Sequence, residues 1–212
     1  LLEFKNEELL HVYDETNSIL QEQQGNPGAV QVVALEFDGD GNLWIVQPYT
    51  TNALTVLTKS GNWHSYNIAP ILDGNSRTSG LIIDNFNRKW IVDGRGHKIA
   101  VFDDAGTLAD KSDDKLKQVD GNLGNGNISG ATILSIVKDL DGEMWIGTDE
   151  GPCVIYAPGN VFDGGDYDAQ QILIEQDGIA QVLLETEIIT TIAIDGANRK
   201  WFGTLNSGAY LM

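Results

Sequence analysis

An all-β fold built from repeated four-stranded antiparallel units is what this sequence predicts, and three observations predict it. The 212-residue chain holds 24 glycines against 5 prolines, and short β-branched and aromatic runs alternate with Asp, Asn and Gly clusters, the pattern of strands joined by tight turns. No segment sustains a helical apolar period over three turns. Four segments repeat without gaps: "ALEFDGDGNLWIVQ" (34–47), "GLIIDNFNRKWIVD" (80–93), "SIVKDLDGEMWIGT" (135–148) and "TIAIDGANRKWFGT" (191–204). Asp38, Asp84, Asp139 and Asp195 each stand six residues before Trp44, Trp90, Trp145 and Trp201, and the tryptophans are spaced by 46, 55 and 56 residues. A fixed period of that order marks stacked supersecondary units.

Each repeat reads as a β-hairpin whose two strands, for instance "LIID" and "KWIV", are apolar on both faces and so are covered on both sides. A hairpin packed between like neighbours fits the blade of a β-propeller. The repeated Asp opens the turn, where its carboxylate accepts backbone N–H groups in an Asx-type bend. Gly39, Gly41, Gly142 and Gly196, with Asn42, Asn87 and Asn198, supply residues that tolerate positive φ. The Trp is the large residue packed between blades.

The remaining elements fall into place in chain order, with strands lettered A to D from the inside of each blade. Residues 1–20 supply strands C and D of a preceding blade, "LLEF" and "ELLHVY". A blade at 28–70 adds "NALTVLT", a "KSGN" turn and "WHSYNI"; one at 76–125 adds "HKIAVFD" and a "DAGT" turn. A blade at 128–178 adds "PCVIYA" and "QQILIEQ", and 186–212 is a partial blade ending in a strand C, "SGAYLM". Residues 1–212 are thus one propeller region of four to five blade equivalents. Both ends carry a strand C and overlap rather than complete each other. The expectation is a part of a larger propeller, neighboured by its remaining blades or by another copy, with a self-closed small propeller as the alternative. The connections at 104–130 and 158–185 are long, as functional or mobile loops often are.

Composition narrows the partners. Thirteen basic against 31 acidic side chains give a formal charge of −18, which argues against nucleic-acid and anionic-membrane partners. No apolar run reaches the length of a membrane span. The first residue is Leu1 rather than Met, so the natural chain is expected to begin further upstream. Cys153 is the lone cysteine and reads as a small buried hydrophobe in a strand, with no disulfide framework or cysteine metal site.

Catalysis is not expected. The four repeated carboxylates belong to separate blades and cannot form a general acid/base pair. His11, His64 and His97 lack metal-ligand spacing, and no nucleophile–base arrangement, phosphate loop or HExxH is present. A propeller lyase or glycosidase would need a convergent carboxylate pair or His/Tyr set, and none is visible. "DGDGN" (38–42) matches half of an EF-hand loop but lacks its closing Glu. Asp103, Asp104, Asp110, Asp113 and Asp114 lie close enough in sequence to offer hard oxygen ligands to Ca²⁺, or to form a solvated acidic loop. No other cofactor is implied.

The variable residues follow each repeat. In a propeller the B–C loops emerge on one face with the D–A links; here they are 47–52, 93–98, 148–151 and 204–208. Tyr49, Asn52, Asp93, Arg95, His97, Asp149, Glu150 and Asn206 would ring a surface able to hydrogen-bond a glycan or grip a peptide, against the alternative of ordinary polar loops.

The unit "IVKDLDGEMWIGTDEGPCVIY" resembles the two-component regulator propeller repeat, roughly V-x-x-I-x-x-D-x-x-G-x-x-W-I-G-T-x-x-G-L-x-x-Y. "YDETNSIL" (13–20) is similar to that family's link between blades. "FDDAGTLADKSDDK" (102–115), "GTDEGPCVIYAPGNVFD" (147–163) and "LLETEIITTIAIDGANRKWFGTLNSGAYLM" (183–212) are similar to stretches of the first propeller of PorZ-like proteins of the type IX secretion system of Bacteroidetes. The resemblance implies an exported protein, in the periplasm or on the surface of a Gram-negative bacterium. It implies a binding or scaffold propeller with a protein or glycan partner, and brings no catalytic residue to these positions. PorZ-like proteins carry two propellers and a C-terminal β-domain. The wider repeat family implies an alternative, the periplasmic propeller of a hybrid two-component sensor recognising an oligosaccharide.

Overall fold

The computed structural model describes residues 1–72, 76–94, 96–176 and 178–212. Strands β1 (Leu2–Lys5) and β2 (Glu8–Val12) form an antiparallel pair, turned at Asn6 and Glu7, both at positive φ as a tight hairpin turn requires. Strands β3 (Ala34–Phe37), β4 (Leu43–Val46), β5 (Leu54–Leu57) and β6 (Trp63–Tyr66) make a four-stranded sheet in chain order. A second comprises β7 (Thr78–Ile83), β8 (Lys89–Asp93), β9 (Lys98–Asp103) and β10 (Lys115–Asp120). A third comprises β11 (Ile133–Lys138), β12 (Met144–Thr148), β13 (Gly151–Ile155) and, after a 3₁₀ turn at Pro158–Val161, the two-residue β14 (Gln170–Gln171). Strands β15 (Leu173–Gln176) and β16 (Ile179–Val182) form a separate hairpin, and β17 (Ile189–Ile194), β18 (Lys200–Thr204) and β19 (Ala209–Leu211) a three-stranded sheet.

The second strands, β4, β8 and β12, are buried almost throughout, which is why their sequences are apolar without alternation. The core accordingly lies in layers between sheets. Trp44, Val56 and Tyr66 meet Leu81, Ile91 and Phe102; Trp90 and Val101 meet Ile146 and Cys153; Trp145 and Val154 meet Ile192 and Phe202. The first strands β3, β7, β11 and β17 lie beside one another in succession. This is a β-propeller arrangement: three complete four-stranded blades (blades 2 to 4) between an outer pair of strands (blade 1) and a three-stranded blade 5. Gly147 of β12 lets blade 5 approach, because a Cβ there would fall 2.8 Å from the Ile189 carbonyl oxygen.

Two local expectations need correcting. "QQILIEQ" is not one outer strand. Only Gln170 and Gln171 pair with β13, and Leu173–Gln176 turns away to pair with β16. Gly178, at φ 77°, supplies the left-handed position on which such a tight hairpin turns. Among the turn residues, positive φ is confined to Gly41, Asn87, Gly142 and Asn198, the fourth position of each turn; Gly39, Asn42 and Gly196 do not need it. Cys153 is fully buried, and burial pushes its thiol up.

The two outer units leave faces uncovered. Trp44, Trp90 and Trp145 are at most 3% exposed, whereas Trp201 is 41% exposed. At the other side an apolar cleft of about 620 Å³ opens between β1 and blade 2, lined by Leu2, Phe4, Leu35, Phe37, Leu43 and Leu57.

Candidate functional site: blade joints and the loop-bearing face

All four repeated turns share one geometry. One oxygen of each Asp accepts the backbone N–H groups two and four residues on: Asp40 and Asn42 for Asp38, Phe86 and Arg88 for Asp84, Asp141 and Glu143 for Asp139, Ala197 and Arg199 for Asp195. The other oxygen accepts the indole N–H of the Trp six residues on, at 2.9, 2.9, 3.2 and 3.2 Å in chain order. The Asp–Trp spacing is therefore fixed by one carboxylate that closes the turn and orients the ring.

An Arg-Lys pair is present in two of the four repeats; both lysines reach back across a blade joint, while Arg88 reaches forward across one and Arg199 bonds Asp195 of its own turn. Lys89, fully buried, pairs with Asp104 of its own blade and places its ammonium 3.9 Å from the centre of the Trp44 ring of the preceding blade. Lys200 reaches back likewise, 2.9 Å from Asp139 Oδ2 and 5.1 Å from the Trp145 ring centre of blade 4. Burial pulls the Lys89 ammonium down, opposed by Asp104. Arg88 reaches forward. Its guanidinium donates to the carbonyls of Gly159 (2.7 Å) and Pro158 (3.3 Å) in blade 4, between the rings of Phe86 and Phe162. Where the residue before the Trp is apolar, packing replaces the cation: Met144 joins Trp90 in the core between blades 3 and 4. These contacts were not anticipated from the sequence. The signal available was the alternation of Leu, Lys, Met and Lys before successive tryptophans.

Burial alone would raise the Asp38 carboxyl, but the Trp44 indole and the Asn42 donors outweigh it and hold it below its ordinary range. Asp139 is held down against burial by Lys200 and backbone donors, and Asp195 against burial by Trp201 and Arg199. A carboxylate depressed in the fold contributes stability above its unfolded pKa, near 3.8, and loses it as pH falls through the lower folded value. Unfolding stability should therefore drop as pH falls below about 4. Asp38→Asn should flatten that slope in urea titrations at stepped pH; an unchanged slope would remove Asp38 from the account.

The acidic loop is internally engaged. Asp103 accepts the Ala105 N–H, Asp104 pairs with Lys89, Asp110 accepts from Ser112, and Asp113 accepts the Thr107 hydroxyl. Asp114 is raised by burial and by neighbouring Asp104 and Asp113. Among the described residues no group of three or more His, Cys, Asp or Glu side chains is placed to hold a metal ion. His11 bonds Glu3 on the exposed blade 1 pair, far in sequence from the half-buried His64 and His97.

Of the eight loop residues, the seven described do not line one common cleft: Tyr49 and His97 border different ones. Asp93 is 4% exposed and partnered, and Arg95 lies outside the described residues. The Asp149 carboxylate accepts the N–H groups of Ala131 and Thr132 and so ties the link between blades 3 and 4. The Asn52 N–H donates to Gln21; Glu150 and Asn206 are exposed. Two shallow polar clefts lie on this face. One, about 420 Å³, lies where blades 2 and 3 meet and is lined by Gln31, Tyr49, Arg77 and Ser79. The other, about 450 Å³, lies where blades 3 and 4 meet, with His97, Lys98, Gln118, Asp120 and Asn122. Tyr49 and His97, both at positive φ, are held by their loops at these cleft edges. Arg77 and Gln118 were not anticipated, since single polar residues at strand ends carry no pattern.

No protein-family model and no curated protein matches the chain. Among solved structures, that of PorZ matches all of it with a TM-score of 0.85 and 26% identity. The chain resembles PorZ. That protein is described as an essential bacterial surface component of the type IX secretion system of the oral bacterium Porphyromonas gingivalis, and the chain spans 29% of its length. The extracellular domain of a hybrid two-component system from B. thetaiotaomicron matches 96% of the chain at TM-score 0.53 and 17% identity, over 23% of its own length. Virginiamycin B lyase from Staphylococcus aureus matches 85% at 0.54 and 16%, over 54% of its length. The last two share the fold alone. Both lines of resemblance read from the repeats, PorZ-like and sensor-like, thus have solved counterparts. No helix among the described residues is long and apolar enough to cross a membrane.

Proposed function

We propose that this chain is a non-catalytic binding propeller of an exported PorZ-like protein, acting in the periplasm or at the cell surface. It holds a protein or glycan partner on its B–C face during type IX secretion or surface assembly. The observation that carries the reading is the match to PorZ over the full chain. The geometry supports it: the repeated Asp residues are consumed in closing their own turns, and two polar clefts lie at the opposite ends of the strands, while a smaller one of about 370 Å³ lies among the Asp-side turns of blades 2 and 3. The reading calls for no cofactor. A glycan array and partner capture on the intact protein, repeated with Tyr49→Ala, Arg77→Ala and His97→Ala, test it. Binding should weaken about tenfold or more for at least one cleft, with the unfolding midpoint unchanged. Binding untouched by all three changes would overturn the assignment to this face. A kinase following a membrane span in the same polypeptide would favour the sensor role instead.

A further inference from the structure

Blade 3 departs from its own repeat at the start of its first strand. Six residues before the turn aspartate, blades 4 and 5 place Ile133 and Ile189, both fully buried. Blade 3 places Thr78 there, preceded by Arg77 where the other two have Thr132 and Ile188. Thr78 is 2% exposed, and its hydroxyl has no hydrogen-bond partner. A buried hydroxyl left unbonded destabilises a fold, and the isoleucine of the neighbouring blades avoids that cost. Thr78 lines the cleft of about 420 Å³ between blades 2 and 3, together with Arg77, Ser79, Val33, Pro48 and Tyr49. The Gly94 N–H donates to the Arg77 carbonyl at 3.0 Å and fixes the backbone there. Of the described arginines, Arg88 bonds a carbonyl of blade 4 and Arg199 its own Asp195. Arg77 is exposed and pairs with no carboxylate of the described residues.

We infer that this cleft binds a single carboxylate group carried by a peptide, beside an apolar side chain. The Arg77 guanidinium offers a planar carboxylate two parallel N–H donors. The Thr78 hydroxyl, shielded from water and unbonded, donates to the same group. Val33, Pro48 and the Tyr49 ring supply an apolar wall for the neighbouring side chain, the pairing that a peptide presents at an apolar C-terminal residue. No acidic side chain of the described residues lines the cleft, so nothing local opposes the carboxylate. One guanidinium on a chain of formal charge −18 matches a monoanion and not a polyanion, which the surrounding acids repel. This specificity deepens the binding role proposed for the B–C face and rests on it.

Ligand-observed NMR titration of the intact protein with N-acetylphenylalanine tests this. That probe should bind about tenfold more tightly than N-acetylphenylalaninamide, which lacks the charge, and Arg77→Gln should remove the difference. Thr78→Val keeps the shape and deletes the hydroxyl. It should weaken the probe about tenfold and yet raise the urea midpoint of the ligand-free protein, an opposition that a purely structural threonine would not give. Equal binding of acid and amide, unchanged binding in Arg77→Gln, or a lowered midpoint in Thr78→Val overturns the inference. So does glucuronate or phenyl phosphate binding as tightly as N-acetylphenylalanine, which would assign the cleft to acidic sugars or to phosphate. A partner captured on the B–C face while the probe fails to bind sinks this inference alone. A bound probe with no partner captured supports it and counts against the wider role.

Discussion

Replacing Trp44 or Trp90 by alanine should lower unfolding stability by about 3–5 kcal/mol each, the cost of emptying a fully buried aromatic site. Trp201→Ala should cost about 1 kcal/mol or less, as for an exposed position. All three rings accept the same task within their own turn, bonding the Asp six residues back. They differ in what covers them: Trp44 stacks on Tyr66 at 5.4 Å and touches Phe102 of blade 3, whereas Trp201 has no covering blade. Urea unfolding of the three variants separates the two contributions. Equal losses would mean that the turn, rather than the joint, holds the fold.

The second large effect concerns Lys89. Asp104→Ala should cost about 3–5 kcal/mol, because it removes the carboxylate bonded to a fully buried ammonium that rests on the Trp44 ring. Combining it with Lys89→Met should recover most of that loss, since paired removal of a buried ion pair is often near neutral. Met144 shows that methionine suits the position, packing with Trp90 one joint further on. The same denaturant measurements decide it; a double variant as unstable as Asp104→Ala would assign Asp104 a role beyond neutralising Lys89.

The fold was legible because a propeller writes its joints into a repeat. Asp and Trp recur wherever one carboxylate must close a turn and hold an indole, and that geometry recurs in all four turns. The Arg-Lys pair was legible as a difference between repeats but not as a clamp. Its partners, Asp104 and the 158–161 turn, lie outside the repeat, and nothing in their local sequence marks them. The Leu173–Val182 hairpin was missed although the glycine of its turn was in view, because an apolar run in the expected place for strand D reads as strand either way. The B–C face was legible only as a face. Which of its residues stay free depends on local bonding: Asp149 is spent on two backbone N–H groups and Asp93 is buried, while Arg77 reaches the cleft from a strand end that no loop rule selects.

The two repeats that carry Arg-Lys differ from the other two in charge, not in turn geometry, and this separates a joint from an active site. Two identical motifs in one chain suggest shared chemistry until their neighbours are known. Here each Lys is committed to the ring of the blade before it, and Arg88 to the blade after it.

A double-mutant cycle between Lys200 and Asp139 tests most directly whether the repeated turn of one blade is received by the next. The two residues belong to different blades, stand 2.9 Å apart and are 11% and 0% exposed. Lys200→Met, Asp139→Asn and the pair, measured by urea unfolding, should give a favourable coupling of about 1–3 kcal/mol. Additivity within about 0.5 kcal/mol would contradict the account, showing that the echoed residues hold their own hairpins and nothing beyond them.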